Sequence, residues 1–215
     1  MATDNQLGEF WESSFKDKQL MWGEVPTNSA KVAADEFAKD RIKNVLIPGI
    51  GYGRNAKPFL EKGMEVSGIE ISATALQLNK QLLGSKLKEL FLGSTDEMPF
   101  STGTYGGIFC YSLIHLLEEK ARTRLIQNCY NQLSSGGQMV FVMVSKNFPS
   151  FGKGKQLGKN TFETAPGLQL YFYDKASILK DFEKYGLTTI REIAEGKNAK
   201  DSSLAPEYWY INCTK

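Results

Sequence analysis

From about residue 45 onward, short apolar runs alternate with amphipathic stretches. Val45-Leu46-Ile47 is apolar at consecutive positions and ends in Pro48-Gly49, the pattern of a strand buried on both faces. Asn55 to Glu61 then begins a helix with Ala56, Phe59 and Leu60 on one face. Glu65 to Ile71 predicts a second strand, and Ser72 is a residue type that caps the start of a helix over Ala73 to Leu83. Leu87 to Leu92 predicts a third strand and Gly107 to Tyr111 a fourth, before a charged helix from about Glu118 to Leu133. Ser134-Ser135-Gly136-Gly137 predicts a turn, and Gln138 to Val144 a fifth, wholly apolar strand. The tail predicts a helix over Asp174 to Tyr185. Two alternating strands follow, Leu187 to Ile193 and Glu207 to Cys213, joined by a polar loop.

Strands that alternate with helices predict an α/β fold with a doubly wound, mostly parallel sheet, helices on both faces and right-handed crossovers. The last two strands predict an antiparallel hairpin added at one sheet edge. The expected organisation is one domain over 1–215. Residues 1–40 form an N-terminal helical cap with Trp11, Phe15, Trp22 and a helix from about Asn28 to Lys39. Residues 41–146 form the core, 147–173 a lid or substrate loop, and 174–215 the C-terminal helix and hairpin. Asn147 to Gly167 is rich in Gly and Lys, which fits a functional lid and a merely solvated loop equally well.

Composition narrows the chemistry. At 215 residues, with 41% hydrophobic and 23% charged, the chain has globular composition and enough length for a full core. Lys plus Arg minus Asp plus Glu is 26 − 24 = +2, too small for a nucleic-acid or membrane-surface footprint. The polar start MATDNQLGEFW is not an export signal, and the longest apolar run, Met139 to Val144, falls far short of the ~20 residues that span a bilayer. A cytoplasmic location is expected. Cys110, Cys129 and Cys213 lack paired spacing, so no disulfide framework is expected, and with His115 the single histidine no multi-histidine metal site is possible.

The most informative stretch is Gly49-Ile50-Gly51-Tyr52-Gly53, a glycine turn between a strand and a helix. Its G-x-G-x-G spacing departs from the G-x-G-x-x-G of dinucleotide-binding dehydrogenases, and no G-K-[ST] follows as in a P-loop. Glycines at 49 and 51 would let backbone N–H groups approach a ligand closely. Glu70 lies seventeen residues past Gly53, at the carboxyl end of the second strand, where an acid accepts the ribose hydroxyls of an adenosine-type ligand. Capping of the following helix is the alternative reading of Glu70.

These motifs resemble those of the class I S-adenosylmethionine-dependent methyltransferases, over about residues 41–145. Gly49 to Gly53 is similar to the family's first motif, Glu70 to its ribose-binding acid, and Ile71 to the apolar residue against the adenine. Gly93 to Phe100 is similar to the third-strand motif, Tyr105 to Leu117 to the fourth-strand segment, and Leu133 to Gly137 to the loop before the fifth strand. Trp11, Trp22-Gly23 and Pro26 resemble the thiopurine and tellurite methyltransferase branch, in which such a segment closes over the cofactor. Three positions depart from the pattern. Ile47, Ser94 and Gly106 stand where the family usually has acids, which leaves the Ser94 hydroxyl, neighbouring backbone or Asp96 to read the adenine.

The resemblance implies S-adenosylmethionine as cofactor and a seven-stranded Rossmann-like sheet. It places Trp22, Gly49, Gly51, Tyr52, Gly53, Glu70, Ile71, Ser94, Thr95 and Tyr111 at the cofactor. Methyl transfer requires alignment more than acid–base chemistry, and needs neither a metal nor a covalent enzyme intermediate. Trp22, Tyr52 and Tyr111 are candidates to face the sulfonium, with core packing as their alternative role. His115 is the candidate general base, and a satisfied core histidine is its alternative. Lys153, Lys155 and Lys159 are candidates to recognise an anionic substrate, with a solvated mobile loop as the alternative. The expected partner is a small-molecule methyl acceptor, with no nucleic acid and no membrane, for a monomer or homodimer. A nucleotide-cofactor oxidoreductase and a non-catalytic S-adenosylmethionine-binding protein remain the alternatives.

Overall fold

The structure, a computed structural model, describes residues 4–98, 104–195 and 207–215. Pro99-Phe100, which end the third-strand motif, and most of the polar loop before the last strand lie outside the described residues. The chain opens with helices α1 (Asp4–Lys18) and α2 (Asn28–Lys39) and enters β1 (Asn44–Pro48). A single 3-10 turn (Arg54–Ala56) leads into α3 (Lys57–Glu61). Then come β2 (Glu65–Glu70), α4 (Ala73–Leu83), β3 (Glu89–Leu92), β4 (Tyr105–Tyr111), α5 (Glu119–Gln132) and β5 (Leu133–Val144). Three short strands, β6 (Lys155–Gly158), β7 (Thr161–Ala165) and β8 (Leu168–Tyr171), precede α6 (Lys175–Phe182), β9 (Leu187–Ala194) and β10 (Glu207–Thr214).

Seven strands form one sheet in the order β3-β2-β1-β4-β5-β10-β9, parallel from β3 to β5. β10 is antiparallel to both of its neighbours and lies between β5 and β9, so the hairpin joins the sheet by its last strand. Alternation along each strand divides the core. Val45, Ile47, Val140 and Val142 pack with Phe37 of α2 and Phe59 of α3. Leu46, Met139, Phe141 and Met143 pack with Leu125 of α5 and Phe182 of α6 on the other face. Each such fully buried side chain stabilises the fold by roughly 1.5–3 kcal/mol relative to exposure. Because the central strands are parallel, their carboxyl ends share one edge of the sheet, where the functional residues gather.

Two expectations change. The segment after β5 is not a plain loop. β6, β7 and β8 form a separate antiparallel meander, anchored by Phe162 and Leu170 against Val144 and Phe172. Its signal in the sequence was weak because β6 is exposed at every position and β7 carries a single large apolar residue, Phe162. Ser134 to Gly137 is likewise not a free turn. It lies within β5, where Gly136 donates to the Lys215 carbonyl and Lys215 returns a bond to Gly137. Among the described residues no helix is long and apolar enough to cross a membrane.

Candidate functional site

The loop after β1 folds back on β2. Gly49 and Ile50 both donate to the Ile69 carbonyl, at 2.8 and 3.1 Å, and Gly53 donates to Ile50. Gly51 (φ 56°) turns its N–H to Oε2 of Glu70 at 2.9 Å. These N–H groups are spent within the protein, so the glycines serve close packing rather than donation to a ligand. Gly53 (φ 87°) makes the closest approach. A Cβ there would stand 2.6 Å from Leu83 and 2.7 Å from the Asn79 carboxamide, which itself donates to the Gly51 carbonyl.

Glu70 is 7% exposed. Its Oε1 accepts from the Ser72 N–H at 2.9 Å, so one carboxylate ties the glycine loop to the start of α4. Burial raises its pKa above the ordinary carboxylate value, opposed by the N–H groups of Ser72, Gly51 and Ile71. The capping reading of Glu70 thus holds, and the same residue lines the cavity described below. Ile47, at the position of a missing family acid, is buried in the core, and Glu70 orders the loop from the neighbouring strand instead. At Gly106, the Asn44 carboxamide oxygen accepts the backbone N–H at 2.8 Å, and the amide nitrogen donates to the Thr104 carbonyl.

The N-terminal segment lies over this loop. Glu12 of α1 accepts from the Ser72 and Thr74 hydroxyls, at 2.6 and 2.7 Å, and from the Thr74 N–H. Those hydrogen bonds hold its pKa down at about 2. Trp22 stacks on Tyr52 with centroids 6.1 Å apart, and the Tyr52 hydroxyl donates to the Gly23 carbonyl at 2.8 Å. Trp22 stays 42% exposed.

One cavity of about 380 Å³ opens at the carboxyl ends of the strands. Gly49, Gly51, Gly53, Glu70 and Ile71 line its floor. Trp22 and Tyr52 close it from above, and Ser94 and Thr95 border it after β3. Tyr111 and His115 reach it from the end of β4, so all eleven residues predicted from the sequence meet in one space. Asp96 does not line it. That carboxylate pairs with Arg124 of α5 at 2.6 Å, while Ser94 caps its backbone N–H. Lys153, Lys155 and Lys159 are exposed in and beside β6 and do not line the cavity either.

Several lining residues carried no signal in the sequence. Arg54 follows Gly53, and its guanidinium lies 5.9 Å over Trp22 and 6.0 Å over Tyr111. Ser112 has a left-handed backbone (φ 56°), a conformation that costs a non-glycine residue about 1–3 kcal/mol and concentrates at functional sites. It turns the chain so that His115 enters the cavity wall. Tyr208 of β10 stacks on Tyr111 at 5.8 Å, and Phe148, Leu168 and Leu170 complete an apolar wall. His115 is buried, its Nδ1 accepts from the Val144 N–H at 3.4 Å, and its Nε2 is 3.4 Å from the Ser112 hydroxyl. Burial pushes its pKa down to about 3.

The donor set suits an adenosine-bearing sulfonium: a buried carboxylate between two strand ends, an apolar residue beside it, and aromatic faces above. Known proteins bear on this geometry. The family described as methyltransferase domain matches residues 46–141. A tRNA N(3)-methylcytidine methyltransferase, Mettl2, of Drosophila melanogaster is 24% identical over 200 residues, covering 83% of this chain and 61% of the relative's length. Thiocyanate methyltransferase 1 of Arabidopsis thaliana is 22% identical over 156 residues, covering 71% and 69%. The chain thus spans less than two thirds of the fly relative. Among solved structures, the Burkholderia thailandensis 1,6-didemethyltoxoflavin-N1-methyltransferase, with its acceptor and S-adenosylhomocysteine bound, superposes with a TM-score of 0.73 at 16% identity, covering 100% of this chain and 91% of that one. That likeness establishes the shared fold. The matched domain begins within β1 and ends within β5, spanning the strand ends that meet at Glu70, and this part of the chain is similar to a methyltransferase domain.

Proposed function

We propose that the protein transfers a methyl group from S-adenosylmethionine to a small-molecule acceptor. The continuity of the cavity carries this reading: the cradle at Gly51 and Glu70 opens directly into an apolar chamber at Tyr111, Tyr208 and Leu168. Its volume falls in the range of small-molecule sites, and its aromatic walls suit a flat acceptor. The names of the similar proteins include a tRNA base, thiocyanate and a heterocycle as acceptors, so the chamber itself must select. The near-zero net charge and the largely apolar walls favour the small molecule over tRNA.

In this reading the cofactor supplies an electrophilic methyl on a sulfonium. Glu70 accepts the ribose hydroxyls, Ile71 packs on the adenine, and Ser94 and Thr95 border its edge. Gly49, Gly51 and Gly53 keep side chains out of the cradle, while Trp22, Tyr52 and Tyr111 offer ring faces to the cation. His115 positions the acceptor wall beside Ser112. Alignment of donor and acceptor at ~3–3.5 Å can supply about 7–11 kcal/mol of the barrier reduction. Calorimetry with S-adenosylmethionine, followed by transfer of labelled methyl to a panel of aromatic small molecules and to tRNA, tests this. Cofactor binding with turnover on the small molecules is expected. Turnover on tRNA alone, or no cofactor binding, overturns it.

A further inference from the structure

The cavity is bordered by titratable groups, and each is already hydrogen-bonded within the protein. His115 faces it from the turn after β4, Tyr111 from β4 and Tyr208 from β10. Tyr52 and Arg54 face it from the glycine loop and Glu70 from β2, and Glu195 stands behind them at the end of β9. The Val144 N–H occupies the Nδ1 lone pair of His115, which assigns the ring proton to Nε2, on the side of Ser112. Tyr208 is hydrogen-bonded to the side chains of Ser112 and Tyr111. Glu195 accepts from the Asn28 and Ser29 N–H groups at 2.8 and 3.0 Å, and Glu70 from Gly51 and Ser72. Burial keeps His115 neutral and raises the Tyr111 and Tyr208 phenols.

Among the described residues Arg54 is the one cation that lines the cavity, and behind the wall it opposes the rise that burial gives the Glu195 pKa. Its Nη1 donates to the Trp22 carbonyl at 3.1 Å, and among the described residues it makes no ion pair. A cation held beside two aromatic faces, in a chamber whose acids are tied to backbone N–H groups, favours an anion. A ring-shaped one stacks on Tyr111 and Tyr208.

We infer that the acceptor is an aromatic anion, bound with its nucleophilic oxygen or sulfur already deprotonated, and that no side chain among the described residues removes a proton during transfer. The inference rests on the methyltransferase reading above. The acceptor's lone pair forms the new bond to the methyl carbon as the carbon–sulfur bond breaks and leaves its pair on sulfur. The positive charge of the sulfonium and the negative charge of the acceptor cancel, and no proton moves.

Ring-substituted phenols and thiophenols of graded acidity test it. In single-turnover rates against pH, the inflection is expected to track each acceptor's own pKa and to stay there in His115→Asn. Para-nitrophenol bound in the presence of S-adenosylhomocysteine is expected to absorb as the phenolate at neutral pH. Arg54→Gln is expected to weaken para-nitrophenolate binding about tenfold while the neutral para-nitroanisole binds as before. An inflection common to all acceptors and abolished in His115→Asn overturns the inference, as does para-nitrophenol bound in its protonated form. Methyl transfer confined to aliphatic alcohols or amines also overturns it, while leaving the methyltransferase reading intact. Absence of cofactor binding in the calorimetry overturns that reading instead.

Discussion

The floor of the cavity around Glu70 and the chamber around Tyr208 differ in how far apart along the chain their parts lie. Gly49, Gly53, Glu70 and Thr95 fall within one stretch of two βα units, and successive crossovers bring their strand ends together. Tyr111, Leu168 and Tyr208 come from β4, the meander and the last strand, and meet only when the whole sheet is complete. The floor is polar and hydrogen-bonded to backbone, whereas the chamber wall is apolar with a few mutually bonded hydroxyls. A local motif can therefore keep one cofactor while distant segments vary the acceptor.

The comparison breaks most completely at Gly53. Gly53→Val adds a β-branched side chain at φ 87°, where even a Cβ meets Leu83 and Asn79 below 3 Å. The loop must move, and Glu70 loses the Gly51 N–H. Calorimetry is expected to show cofactor affinity reduced by at least about a hundredfold, equivalent to ~2.8 kcal/mol. Retention of affinity within a factor of about three would show that the loop is not the cradle. A far-ultraviolet dichroism melt separates lost binding from lost folding.

Glu70→Ala acts on the same half more selectively. It strands the Gly51 and Ser72 N–H groups, each loss costing about 1–3 kcal/mol, and removes the carboxylate proposed to accept the ribose hydroxyls. At least tenfold weaker cofactor binding is expected. Glu70→Gln, which keeps one acceptor oxygen, should fall between. Unchanged affinity in Glu70→Ala would remove Glu70 from the site.

The same contrast explains what could be read from residues alone. β1, β2, α4 with its Ser72 cap, and the hairpin of β9 and β10 were legible. Burial on both faces leaves β1 a continuous apolar run, α4 and the hairpin alternate apolar and polar positions, and the glycine turn punctuates the chain after β1. The meander was not, since Lys155 to Gly158 is exposed throughout and nothing in its pattern demands a strand. Asp96 looked available to a ligand and instead pairs with Arg124, twenty-eight residues away, a choice that only α5 packing decides. Ser112 and Tyr208 had no local signature. One owes its role to a backbone torsion, the other to a neighbour far along the chain. Arg54 was adjacent to the motif, but its aim at Trp22 and Tyr111 depends on the segment between α1 and α2 and on the end of β4.

The chamber should respond without the floor. Leu168 lines the cavity from β8 and is only partly buried against Phe162 and Leu170. Leu168→Ala removes apolar contact of about 1 kcal/mol from the acceptor side. KM for the acceptor is expected to rise about fivefold, with the Kd for S-adenosylmethionine unchanged. A parallel rise in both constants would mean that the halves are energetically one unit.

His115→Asn gives the smallest and most diagnostic effect, because it acts through pH rather than at neutrality. The buried imidazole has its pKa pushed down to about 3, against 6.5 in an unfolded chain. Between those values the unfolded state binds a proton that the folded state refuses, so the histidine's contribution is fully present above pH 6.5 and lost as pH falls toward 3. The local slope from one such proton is about 1.4 kcal/mol per pH unit at most. Asparagine offers an oxygen to the Val144 N–H without taking up a proton, so the variant should match the parent's melting temperature near neutrality within a few degrees. It should lose less stability than the parent on acidification to pH 4. Glu12, with its pKa held at about 2, adds an acid-labile term common to both proteins, lost as pH falls from 4.5 toward 2. The difference between the two melting curves therefore isolates the histidine. Coincident curves from pH 7 to pH 4 would mean that His115 takes up protons in the folded chamber and is available as a base after all.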